Sequence, residues 1–287
     1  MPSPLTETRT LPELVELVLA EGRDVDLTGA ELLVGWENAV IRTADGWIYR
    51  FPRLGPESYR RELVILDRLA GTLPVRTPEI AWTGRRAEFA AYRTIVGATA
   101  DAESLRTAPE EVRLRTAQSL AAFLAAMHSR FEPAERTELG IDRFDPRAMA
   151  AELEEALPSL PAAARAGLRT VLDAFRETGL ARPEPDPVTL HGDFHFGNLV
   201  LDQPTGVVTG VWDFSCVAAG NPSLDLRYLL RDPADLGDLI ARCYAEVTGR
   251  ELDVLRARLA GDLEELTDAL TEQRPIGPVL RSALSQL

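Results

Sequence analysis

The sequence predicts an α+β protein in two lobes, with a strand-rich N-terminal third and a mainly helical remainder. Three observations predict it. Short apolar runs separated by turn residues fill residues 31–95. From about residue 108 the apolar residues recur at helical spacing. The chain has 287 residues, enough for two lobes with a sizeable core. The change of pattern falls near residues 96–100, which divides the chain into lobes 1–96 and 97–287.

Thr10 and Glu13 form a capping-box pattern ahead of Leu14, Val15, Leu17, Val18 and Leu19, so residues 11–21 read as a helix. Strands are expected over 31–34, 39–43 and 47–51. Asp45-Gly46 between the last two is a two-residue hairpin signal, and the three runs read as an antiparallel meander. Residues 57–70 place Tyr59, Leu63, Leu66 and Ala70 on one helical face, and Gly71 suits the stop. The stretch 73–75, with Pro74 and Pro78, is extended, 88–95 is a further strand, and Gly97-Ala98 reads as a hinge. Helices follow over 112–128, 148–157 and 162–178. A proline-rich connector covers 181–187, strands return at 188–190, 199–201 and 207–212, and helices close the chain from about 224.

Hydrophobic residues are 45% and charged residues 26%, ordinary for a globular protein and unlike a disordered one. The formal charge of −14 repels phosphate backbones and anionic membrane surfaces, so no nucleic acid and no membrane is expected as partner. It favours a cationic small molecule, although the same charge also serves solubility. All 31 basic residues are Arg, which excludes lysine-dependent chemistry. Cys216 and Cys243 make no disulfide framework and no CxxC pair. With no secretory signal and no long apolar run, the cytoplasm is the expected location.

The segment LHGDFHFGNLVLD, residues 190–202, with GVVTGVWDFS, residues 206–215, carries the chemistry. A short apolar strand delivers His191, Gly192 and Asp193 into a loop, and Asn198 follows five residues after Asp193. A strand, a turn at 203–206 and a second strand ending at Asp213 complete a hairpin. That hairpin would bring Asn198 and Asp213 to one end, with Asp193 nearby. Such hard oxygen donors suit Mg2+, which keeps waters and shares phosphate oxygens.

His-Gly-Asp, four residues, Asn, then Asp on the next strand resembles the catalytic and metal loops of the aminoglycoside phosphotransferase family, whose macrolide-modifying branch shares the pattern. The continuation Gly220-Asn221-Pro222-Ser223-Leu224-Asp225-Leu226 is similar too. The resemblance implies a protein-kinase-like two-lobed fold and transfer of a nucleotide γ-phosphoryl group to a hydroxyl. Within it, Asp193 corresponds to the catalytic base and Asn198 and Asp213 to the Mg2+ ligands. His191 and Asp225 correspond to loop supports. The co-substrate would be ATP or GTP.

On the nucleotide side, the resemblance assigns the covering loop to residues 34–40, including Gly35 and Asn38. Arg50 stands where the wider kinase fold has lysine, a departure that a bidentate guanidinium accommodates, with Arg53 as the substitute. Glu62 corresponds to the helix acid that pairs with the basic residue. Tyr92, Thr94 and Ile95 resemble the strand that meets the base. On the acceptor side, Asp142, Glu152, Glu155, Glu264 and Asp268 are candidate contacts for ammonium groups, each equally readable as a solvated helix charge.

The acceptor implied is an antibiotic, cationic or macrolide, and the chain a monomer or dimer. Three other readings compete: a metabolic kinase of the same fold, a nucleotide-binding module without turnover, and a metallohydrolase using His191, Asp193 and His195. The last is short of ligands, because the one further histidine, His128, lies in an apolar helix where a boundary role is expected.

Overall fold

The computed structural model describes residues 9–35, 37–53, 55–231 and 236–287. Trp36 of the candidate phosphate loop and the N-terminal residues 1–8 lie outside the described residues. The chain divides into two compact units. One runs to Gly97 and takes in Thr209–Ser215; the other comprises Ala98–Val208 and Cys216–Leu287.

In the first unit, helix α1 (Leu11–Leu19) starts from the Thr10/Glu13 capping box that the sequence predicts. Strands β1 (Glu31–Val34), β2 (Asn38–Arg42) and β3 (Trp47–Pro52) form the expected antiparallel meander. Gly46 turns the β2–β3 hairpin at φ 84°, a conformation that favours glycine. Helix α2 (Pro56–Leu69) follows, then β4 (Ile80–Thr83) and β5 (Ala90–Arg93), giving the sheet order β1-β2-β3-β5-β4. The sequence reading lacked β4 and made β5 too long. β4 is short and only half-buried on alternate residues, and a bulge breaks its register with β5.

The period-2 alternation of β3 decides what each face of this sheet carries. Tyr49 and Phe51 join Leu14, Val18, Ile41 and Phe89 under α1. Ile48 points the other way and packs with Tyr59 and Tyr92. Arg50 shares the Ile48 face, so its side chain is directed at α2. The stretch Thr209–Ser215 is fixed to this unit through its backbone. Arg76 N donates to Thr209 O at 3.1 Å, and Val211 N donates to Arg76 O at 2.9 Å.

The second unit opens with β6 (Ala98–Thr99) and α3 (Ala102–Thr107), neither of which the sequence reading contains. It continues with α4 (Glu110–His128), α5 (Pro133–Glu138), α6 (Pro146–Ala156) and α7 (Ala162–Glu177). Strand β7 (Val188–Leu190) leads into the His191–Asn198 loop, and β8 (Leu199–Asp202) leaves it and pairs with β6. Strand β9 (Val207–Val211) carries the chain into the first unit. On return, β10 (Ala218–Gly220) pairs antiparallel with β7. Helices α8 (Leu236–Thr248), α9 (Val254–Thr271) and α10 (Gly277–Leu284) complete it.

Leu153, Leu168, Val171, Phe175, Leu263 and Leu280 form the core shared by α6, α7, α9 and α10. Leu120, Phe123, Leu124 and Met127 of α4 are fully buried beside it in the same unit. Among the described residues no helix is long and apolar enough to cross a membrane.

Candidate active site

In the second unit, β7 ends at Leu190 and the loop begins with His191, which is fully buried. Its ring meets Phe123 and Phe194 edge-on, at 6.2 and 5.6 Å between centroids, and Phe194 stacks on Phe123 at 5.4 Å. Burying a ring of that size contributes roughly 1.5–3 kcal/mol. The loop is therefore anchored by an apolar residue immediately after Asp193, and Asp193 itself is left at the surface of the anchor.

Gly192, at φ 86°, makes the turn. A Cβ there would collide with the Cys216 carbonyl, so both conformation and space require glycine. The backbone on either side is held by Asp225, whose Oδ2 accepts from His191 N and Oδ1 from Gly192 N, both at 2.9 Å. Asp225 is 0% exposed. Oδ2 also meets His128 Nε2 at 3.2 Å, and His128 Nδ1 meets Tyr244 Oη at 2.9 Å. Burial works to raise the Asp225 carboxyl. The His128 hydrogen bond and charge, with those of His191 and the Gly192 amide, outweigh it and leave Asp225 below its usual range. His128, expected at a boundary, is in fact a buried link in this network.

Asp193 meets two partners through its side chain. Asn198 Nδ2 donates to its Oδ2 and to its main-chain carbonyl, each at 2.9 Å. His195 Nε2 lies 3.5 Å from the same Oδ2. His195 Nδ1 accepts from Gly197 N at 3.0 Å, which assigns the proton to Nε2, facing the carboxylate. Burial works to raise the Asp193 carboxyl, and the hydrogen bond from His195, with His191 and the Asn198 amide, brings it below the usual value. Asp193 is thus held ionised and oriented, as a general base requires. With Nδ2 engaged by Asp193, Asn198 has Oδ1 left for a cation.

The first unit assembles a second cluster. Arg50 Nη1 donates to Glu62 Oε1 at 2.5 Å, and Arg50 Nη2 donates to Asp213 Oδ1 at 3.2 Å. Phe214 N also donates to Glu62 Oε1, at 3.1 Å, and Ser215 Oγ to Asp213 Oδ1, at 2.9 Å. Burial works against the Arg50 charge, and Glu62, Tyr92 and Asp213 outweigh it, holding Arg50 above its ordinary value. Asp213 adopts φ 62°, rare for a residue with a side chain. Its Oδ1 is occupied by Arg50 and Ser215. Together with its other oxygen it fits the hard-donor chemistry of Mg2+, as does Asn198 Oδ1.

Of the other nucleotide-side candidates, Gly35 N donates to Asn38 O at 2.9 Å, and Arg53 Nη1 donates to Gly35 O. Tyr92 is buried on the α2 face of the sheet, and Ile95 is buried as well. The Thr94 amide donates to Gly46 O at 2.9 Å, so that N–H serves the β2–β3 turn. The acceptor candidates separate. Glu152 and Glu155 are exposed on α6, and Asp142 accepts Ala219 N through its backbone. Glu264 is not an open charge: its carboxylate accepts from Arg227 Nε at 3.0 Å and from Tyr228 Oη at 2.8 Å. Asp268, a turn further along α9, is exposed.

The sequence reading missed Ser215, Arg227, Tyr228 and the orienting part played by His195. The available signal was positional: His195 and Ser215 stand two residues beyond Asp193 and Asp213, and Arg227 two beyond Asp225. Among the described residues no three His, Cys, Asp or Glu side chains gather as a metal-ligating group.

A model of the phosphotransferase enzyme family matches residues 28–261. No curated protein matches the sequence. Solved structures do match in fold. One is a GDP complex of wild-type aminoglycoside 2'-phosphotransferase-IIIa, 20% identical, covering 97% of this chain and 97% of that chain, with TM-score 0.80. Another is a streptomycin–ATP ternary complex of APH(2")-IIa, 16% identical over 97% and 96%, with TM-score 0.71. A third is the macrolide 2'-phosphotransferase MphH of Brachybacterium faecium as apoenzyme, 23% identical over 96% and 98%, with TM-score 0.64.

Proposed function

We propose, from the premise that this chain belongs to the phosphotransferase enzyme family, that it transfers the γ-phosphoryl group of ATP or GTP to a hydroxyl of an aminoglycoside or macrolide antibiotic and so confers resistance. The observation that carries this reading is the Asp193 carboxylate, held ionised and directed by Asn198 and His195 on a loop clamped by buried Asp225. Similar structures carrying GDP, ATP with streptomycin, or a macrolide phosphotransferase fold support the nucleotide and the acceptor class.

In this reading Asp193 accepts the proton of the acceptor hydroxyl and aligns its oxygen with the γ-phosphorus. Arg50, kept charged by Glu62, contacts phosphate oxygens with its planar fork. Gly35 and Asn38 belong to the segment over the phosphates, and Tyr92 and Ile95 line the strand that meets the base. Asn198 and Asp213 are the residues that would hold Mg2+, which would supply charge neutralisation on the phosphates. The reaction then depends mainly on positioning and charge. Because Glu264 is engaged by Arg227 and Tyr228, acceptor charge recognition rests on the more exposed Asp268.

The test is nucleotide consumption with ATP and with GTP, plus Mg2+, across aminoglycosides, macrolides and metabolic amino alcohols. Stimulation by one antibiotic class, abolished in Asp193→Asn, supports the reading and selects the branch. Stimulation by the amino alcohols alone replaces it with a metabolic kinase. Asp213→Ala should weaken Mg2+–nucleotide binding, and unchanged binding removes Asp213 from the metal site.

A further inference from the structure

The loop that carries Asp193 is gripped from one direction by Asp225, which takes the N–H groups of His191 and Gly192. A further main-chain handle before Asp193 is the Gly192 carbonyl. That oxygen accepts a hydrogen bond from Nη2 of Arg227, two residues beyond Asp225. Arg227 is 2% exposed, and its guanidinium is engaged on all sides. Nη1 donates to Leu224 O at 3.1 Å, Nε donates to Glu264 at 3.0 Å, and the Tyr228 and Phe144 rings lie 4.3 and 4.6 Å from it.

A buried cation is costly unless paired, and an apolar side chain of similar size would fill the same space at least as stably. The sequence neighbours Leu226, Leu229 and Leu230 are apolar and buried. What an apolar residue could not do is hold the Gly192 carbonyl. Lysine could not replace the fork either, since one ammonium cannot meet Gly192 O, Leu224 O and Glu264 in their fixed directions.

We propose that Arg227 is a positioning residue for phosphoryl transfer. Fixed by Glu264, it holds the Gly192–Asp193 peptide plane, and Asp225 holds the plane before it, so that the Asp193 carboxylate is presented in one orientation. This rests on the reading of Asp193 as the base. It also gives Glu264 a task inside the protein rather than at the acceptor.

The experiment compares wild type, Arg227→Lys and Glu264→Gln in steady-state kinetics and in amide hydrogen exchange of residues 191–198, well below each melting temperature. Arg227→Lys should lower kcat by roughly 10–100-fold, the scale of a misplaced catalytic group, with KM for nucleotide within about twofold of wild type. The Gly192 and Asp193 amides should exchange roughly tenfold faster or more, as local opening becomes easier. Glu264→Gln should move both readouts the same way by less, because its amide oxygen still accepts from Nε; it carries the test if Arg227→Lys does not fold. A merely structural role would lower the melting temperature and leave kcat and loop exchange unchanged, and that result overturns the proposal. If wild type phosphorylates no acceptor, the functional reading fails on its own. The exchange measurement then decides the positioning role: faster exchange supports it, and wild-type protection in the variants removes it.

Discussion

Asn198 Nδ2 binds the side chain and the backbone of Asp193 at once, donating to Oδ2 and to the carbonyl oxygen at 2.9 Å each. The carboxylate therefore cannot rotate without losing a contact, and Oδ2 is set by a residue five positions on. Replacing Asp193 by Asn keeps the shape and removes the carboxylate proposed as base. We expect turnover to fall by roughly 10²–10⁴-fold, the usual worth of a general base, with nucleotide affinity unchanged by titration calorimetry. Wild-type turnover in that variant would end the assignment of Asp193 as base.

Glu62 is 1% exposed and meets both Arg50 and the Phe214 amide. Arg50→Ala strands this carboxylate, which should cost about 3–5 kcal/mol in urea unfolding. The double change Arg50→Met, Glu62→Met should be less destabilising than Arg50→Ala, because no charge is left buried alone. Equal losses in the two would mean that packing, not the ion pair, sets the cost. Nucleotide binding should weaken in both.

Gly192→Ala should lose activity and about 1–3 kcal/mol of stability, since the positive φ and the Cys216 carbonyl both oppose a Cβ. Circular dichroism melts and the nucleotide-consumption assay measure the two effects. An active variant of wild-type stability would show that the turn has another conformation open to it.

Asp262 lies in a cavity of about 320 Å³ between α9 and α10, facing Arg231, Arg258 and Glu265. Burial pushes its carboxyl up to about 6, with the two arginines opposing. A raised acid favours the folded state below its unfolded pKa near 3.9, and that contribution is lost as pH rises through 6. Asp262→Asn should therefore stabilise the protein at pH 8, by on the order of 1 kcal/mol after allowance for solvent screening. At pH 4 it should change little. A gain of equal size at both pH values would point to packing rather than ionisation.

The residues legible in the sequence are those whose partners are close along it. The capping box of α1, the Asp45-Gly46 hairpin and the His-Gly-Asp loop with its Asn198 each close within a few residues, and each pattern names its own geometry. Strand β10 was not legible: Ala218, Ala219 and Gly220 have no alternation to read, and their pairing with β7 spans about thirty residues. Arg227 was hidden for a related reason. An arginine between leucines looks the same whether it points to solvent or into the core, and its partner Glu264 lies 37 residues further on. The same distance made Glu264 look like a free surface charge. The left-handed backbone at Asp213 is not legible from residue type, because Asp, although it enters that conformation more readily than most residues, is far commoner in ordinary backbone.

The assignment of Thr209–Ser215 to the first unit has a consequence for how such proteins can recombine. A gene cut after Gly97 would yield an N-terminal fragment without the strand that pairs with Arg76, without the Phe214 amide that meets Glu62, and without Asp213 beside Arg50. Arg61 would also lose the Ser215 carbonyl. Chimeras joined at that single point would inherit an arginine and a glutamate from one parent and their aspartate from the other. A functional exchange of this unit between relatives therefore needs three crossovers, one after Gly97 and two flanking the short stretch from Thr209 to Ser215.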